Sequence, residues 1–227
     1  MKYFKTGKNI IYIIVLAFSF CLYFINAPER YRLNPLLMNF VYSVSISIIA
    51  AFVFYVFNIY LPNQKRRNII KHNFEEQYIY FKKNSIFIFL SALGKSSNEK
   101  LWEELCDLGE FKKYFKEKYN NDQDRWDRVY NALELNRILL KDLLMQLDIL
   151  RDEVSFVLNN IEINDKNVFS FFKLLSQSVY VYKLRDINMD YNEKKALMSF
   201  LWQLFAGWSF VDGYREEDVV KLMIKKI

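Results

Sequence analysis

Twenty-six consecutive residues, Leu36–Leu61, carry no charged side chain. That run exceeds the roughly 20 apolar residues an α-helix needs to cross a bilayer, with allowance for tilt. A shorter uncharged run, Ile10–Ile25, precedes it, and Asn26 and Ala27 extend it towards spanning length. A cleaved signal peptide is the competing reading of this first run. It fits poorly: a cut after Ala27 would put the large Ile25 at its −3 position and Pro28 just beyond, and a second apolar run follows at once.

Charge assigns the two runs an orientation. Residues 1–72 hold nine of the 32 basic residues against Glu29 alone, a net of +8. The other 23 basic and 25 acidic residues leave residues 73–227 at −2. The positive excess therefore lies beside the apolar runs, where it sets topology and attracts anionic lipid. It leaves the distal residues without a basic footprint for nucleic acid, so no nucleic-acid partner is expected. Lys2, Lys5 and Lys8 precede the first run, and Lys65, Arg66, Arg67 and Lys71 follow the second. The positive-inside bias then predicts a two-helix transmembrane hairpin, spans about 9–27 and 36–61, with both termini cytoplasmic. Lys65, Arg66, Arg67 and Lys71 are the candidate contacts to anionic headgroups. Neither span holds an acidic, basic or histidine side chain, which argues against an ion or proton carrier.

The second span has a polar stripe. At 100° per residue, Asn39, Ser43, Ser47, Ala50, Phe54 and Asn58 fall on an arc of about 100°. Ser43, Ser47 and Ala51 give a small-xxx-small spacing that lets helices approach closely. This face can pack on the first span. Alternatively, Asn39, Ser43, Ser47 and Asn58 form an oligomer seam or line a pore. Ser45, about 200° from Ser43, is expected to tolerate a larger side chain.

Pro62 predicts a kink or short break at Leu61, because proline removes a backbone donor and disfavours helical geometry in the residue before it. Beyond it Ile70, Phe74, Tyr78, Phe81, Ile88 and Ala92 recur at helical spacing, and Gly94 is a terminator. Within this helix Arg67 and His72, the chain's one histidine, spell R-x4-H. The spacing resembles the ribonuclease signature of HEPN domains, helical bundles in which the motif faces a partner's copy. That resemblance implies a catalytic Arg67–His72 pair. The competing reading makes Arg67 one of several stop-transfer cations and His72 a surface residue in reach of Glu75 or Glu76. The stretch Phe54–Lys83, with "LPNQKRRNIIKHNFEEQYIYFKK" after its apolar end, resembles uncharacterised bacterial two-span inner-membrane proteins with a helical cytoplasmic domain. The resemblance implies a location and brings no chemistry.

The distal sequence reads as helices throughout. Ser96 and Glu99 have capping-box spacing. Asp122–Asn160 reads as one long helix with Trp126, Leu133, Leu140, Leu147, Val154 and Ile161 in one heptad register. Val129, Asn136, Leu143, Leu150 and Val157 fill the other, with Asn136 able to fix coiled-coil register. Additional apolar residues widen the stripe, which favours a bundle core. Asp165 is placed to cap the next helix, whose "SVYVY" reads as helix because Phe169, Phe172, Leu175, Val179 and Tyr182 keep the period. "REEDVVKLMIKKI" closes the sequence as an amphipathic helix with acids first and lysines last.

The expected fold class is thus all-α. A tail at 1–8, a transmembrane hairpin at 9–61 and a juxtamembrane basic helix at 62–95 precede a cytoplasmic helical bundle at 96–227 with one long central helix. No phosphate loop, nucleophile elbow or metal-ligand spacing occurs, Cys21 and Cys106 stand alone, and no cofactor is expected. The functional expectation is a non-enzymatic inner-membrane protein, multi-pass, that self-assembles into a homo-oligomer or recruits a cytoplasmic protein partner. The alternatives are a defence-type membrane effector or pore gated by the cytoplasmic domain, and the HEPN-like ribonuclease.

Overall fold

Asn34 and Pro35 start the first described helix: the Asn34 side chain accepts from the Leu36 amide at 3.1 Å, and Pro35 occupies a position that needs no donor. The structure is a computed structural model that describes Phe18 and residues 34–95, 99–119, 123–185, 189–209 and 213–227. The first expected span and the connection after it lie outside the described residues, apart from the helical Phe18. The chain divides into two compact units, Met1–Ile69 and Ile70–Ile227.

In the first unit, α1 (Pro35–Tyr55) leads through a π-helical turn (Val56–Tyr60) into α2 (Leu61–Ala92). Of the kink or short break expected at Pro62, the break does not occur. Leu61 keeps helical angles (φ −62°, ψ −46°), and its amide reaches back five residues to the Val56 carbonyl. An α-turn would drive a carbonyl into the proline ring, and the wider π-turn takes up that conflict while the helix continues. Pro35–Ala92 is the one helix among the described residues that is long and apolar enough to cross a membrane, and 6% of its most apolar stretch is buried. Leu36, Phe40, Phe54 and Phe57 are all more than half exposed.

The second unit is almost entirely helical. It comprises the rest of α2, then α3 (Glu99–Leu105), α4 (Leu108–Lys116), α5 (Arg125–Leu135), α6 (Arg137–Asn160), α7 (Lys166–Arg185), α8 (Tyr191–Ala206) and α9 (Val219–Lys226). Two-residue strands β1 (Trp208–Ser209) and β2 (Gly213–Tyr214) pair antiparallel between α8 and α9, with Trp208 opposite Tyr214. The all-α class holds. Ile70, Phe74, Tyr78, Phe81 and Ile88 are buried as their spacing predicts. Gly94 ends α2 with φ 68°, and Asp165 caps α7 through the Asn167 amide at 2.9 Å. The Ser96 capping-box expectation lies outside the described residues.

The core is dominated by aromatic rings. Phe89 of α2 meets Phe111 and Phe115 of α4, Trp126 of α5 and Phe205 of α8, with centroids 5.2–6.2 Å apart in edge-on geometry. Each such pair adds about 0.5–1.5 kcal/mol beyond the area it buries. Hairpin α6/α7 extends this core through Leu143, Leu150, Val154, Phe172 and Val179.

Two expected features are corrected. The long central helix is interrupted at Asn136, which adopts φ −107° and ψ 98° and separates α5 from α6. Its side chain accepts from the Ile138 and Leu139 amides at 3.0 and 3.3 Å, so the residue caps α6 and is exposed rather than fixing a coiled-coil register. The last helix starts at Val219, so exposed Glu216 and Glu217 precede it and Asp218 is its cap.

Candidate functional site

Along α2 the helical wheel puts Lys82 among core side chains, four residues after Tyr78 and seven before Phe89. Lys82 is 1% exposed, and an ammonium so placed is tolerated only with close compensation. Two partners supply it. Nζ donates to the Cys106 carbonyl at 2.8 Å, in the turn after α3, where the helix end is electronegative. It also donates to Asp218 Oδ2 at 3.1 Å, in an ion pair whose acid is 8% exposed.

Asp218 collects four donors. Tyr78 Oη bridges its two oxygens at 3.1 and 3.0 Å, and Oδ1 accepts from the Val220 and Lys221 amides at 3.0 and 3.2 Å as the cap of α9. Burial first, then the adjacent carboxylate, hold the Tyr78 hydroxyl well above its ordinary pKa, so it stays a proton donor. Burial also raises the Cys106 thiol, with Lys82 opposing the shift. At its other end α9 is tied to α2 again, because Lys71 Nζ donates to the Lys225 carbonyl at 2.6 Å. Two lysines of one helix thus grip both ends of another. The charges cancel within the cluster, and its evident effect is to position α9.

The residues singled out from sequence are distributed differently. Lys65 and Arg66 are exposed and Arg67 is half-buried, while Lys71 makes the contact to α9. Five residues on an uninterrupted helix turn Arg67 and His72 about 140° apart, so one copy does not converge them. His72 is 74% exposed, with Nε2 3.5 Å from Glu76 Oε1 one turn on. In the apolar helix Asn39, Ser43, Ser47 and Asn58 are exposed. Two of them bond their own helix: Ser47 Oγ to the Ser43 carbonyl at 2.8 Å, and Asn58 Nδ2 to the Phe54 carbonyl at 3.1 Å. Ser45, expected to tolerate bulk, is 6% exposed.

Among the described residues no group of three or more His, Cys, Asp or Glu side chains could hold a metal ion. No family model, curated protein or solved structure matches the chain. What the geometry defines is an all-α protein with an exposed apolar helix and a buried lysine–aspartate–tyrosine cluster.

Sequence alone does not reveal the buried cluster. Its signal was present in part, since Lys82 and Ser85 fall on the apolar face of α2 and both are buried. Asp218 lies 136 residues away, and no local spacing connects it to Lys82.

Proposed function

We propose that this chain is a membrane-anchored helical protein. Its two apolar runs form a transmembrane hairpin, both termini face the cytoplasm, and the helical unit assembles with itself or recruits a protein partner at the cytoplasmic face of the membrane. The observation that carries the reading is the exposure of the apolar helix. A core helix of a water-soluble domain hides its apolar side chains, whereas here 6% of the most apolar stretch is buried. Exposed Lys65 and Arg66 follow that stretch directly, where cations meet anionic headgroups at about 1 kcal/mol each. The test is alkaline extraction of membranes from cells expressing the full chain. Retention in the pellet supports the proposal, and release with peripheral proteins rejects it.

One observation favours a second reading, an oligomeric effector or pore. Asn39, Ser43, Ser47 and Asn58 lie exposed on one arc of an otherwise apolar helix. Replacing Ser47 with Leu would push adjacent helices apart. The mass of the detergent-solubilised Ser47→Leu variant, compared with wild type, reports whether that arc is a seam between copies.

A further inference from the structure

We infer that α9 is a strap that opens on its own while the rest of the helical unit stays folded, with the Lys82–Asp218 pair as its catch. Three observations carry this. The helix has eight residues, fewer than a helix needs to hold itself together in water. Its apolar anchors are Val220, Ile224 and the adjoining Ile227, with Met223 partly buried on the same core, whereas the 24-residue α6 buries six side chains. Polar contacts tie it to α2: Asp218 to Lys82 and Tyr78, and the Lys225 carbonyl to Lys71. A buried ion pair returns little net stability after its desolvation cost, although its loss is felt where it holds an element in place. The approach to the strap, Tyr214–Glu217, is exposed.

Opening would present Val220, Ile224 and Ile227 and uncover Tyr78 and Lys82 at once, because Asp218 is the partner of both. Lys82 would then stand without its carboxylate on the aromatic face of α2, which favours prompt reclosure. Regions that open below the global unfolding free energy show as fast amide exchange under native conditions.

The test is hydrogen–deuterium exchange of the full chain in detergent micelles, read by mass spectrometry over residues 219–227 and 140–157. Residues 219–227 are expected to exchange faster than 140–157 by about tenfold or more. Asp218→Ala removes the catch and the cap, and should accelerate 219–227 by at least a further tenfold and by more than it accelerates 140–157. Lys71→Met, which cuts the tie at the far end, should accelerate 219–227 to a smaller extent. Equal exchange of the two segments in wild type would overturn the inference, because the helix would then open only with the whole unit. Parallel acceleration of both segments in Lys71→Met would overturn it equally. If Asp218→Ala does not fold, the wild-type and Lys71→Met measurements decide between these outcomes.

Discussion

Lys82 Nζ stands 3.1 Å from Asp218 Oδ2 across 136 residues of sequence, and the lysine is 1% exposed. A buried pair of this kind responds asymmetrically to substitution. Lys82→Met alone strands a buried carboxylate and is expected to cost about 3–5 kcal/mol. Lys82→Met with Asp218→Asn keeps an effective cap and removes both charges, so most of that loss should return. Thermal unfolding of the two variants, followed by circular dichroism in detergent, measures the difference. Equal destabilisation of single and double variants would mean the pair is not coupled.

Tyr78 gives the cluster a dependence on alkaline pH. Its folded pKa lies above the ordinary value of 10.0, chiefly through burial. The associated stability is therefore fully present below about pH 10 and is lost as pH rises through the folded value, because the unfolded tyrosine ionises first. Tyr78→Phe removes this contribution, so its melting temperature should fall less steeply above pH 10 than that of the wild type. Identical slopes would show that Tyr78 ionises as readily in the folded protein as in the unfolded chain.

Asn136 separates two accounts of the α5–α6 junction. As the cap of α6, its replacement by Ala should cost about 1 kcal/mol and leave the oligomeric state unchanged. A register-fixing residue in a coiled coil would instead alter the mass of the assembly. Light scattering and a thermal melt on the same sample distinguish the two.

Much of the fold was legible because apolar spacing reports the buried side of a helix directly. The α2 stripe from Ile70 to Ile88, the Gly94 stop and the Asp165 cap all follow from local chemistry. The same spacing concealed the break at Asn136. Trp126, Val129 and Leu133 before it and Leu140, Leu143 and Leu147 after it are all buried, so the pattern runs through the interruption. Only the preference of asparagine for bonding nearby amides marked the place. At Pro62 the local rule predicts a kink or short break, and the chain takes up the conflict in a π-turn without breaking the helix. The clasp of α9 was illegible for another reason: Lys71 reaches a backbone carbonyl and Lys82 reaches an acid, each more than 130 residues away.

Gly207 ends α8 with φ 65°, and an added Cβ would lie 3.2 Å from both the Arg215 carbonyl oxygen and Leu108 Cδ1. Gly207→Ala therefore combines left-handed strain with a backbone contact and should cost about 1–3 kcal/mol. Gly94→Ala shares the positive φ but meets nothing within 4 Å, so it should cost less. Melting temperatures of the two variants make the comparison.

His72→Ala should leave folding and activity nearly unchanged, within about 0.5 kcal/mol, because the ring is 74% exposed and contacts one exposed acid. Loss of activity with normal expression and membrane insertion would restore the Arg67–His72 pair as a catalytic candidate, completed by a second copy.

Topology reporters test most directly the proposed anchoring of a cytoplasmic helical unit by two spans. Fusions of a compartment-sensitive reporter pair after Ile227 and before Met1 should both behave as cytoplasmic, as the basic flanks require. A C-terminal fusion that reports the periplasm, or a full-length fusion recovered in the soluble fraction, would contradict the account.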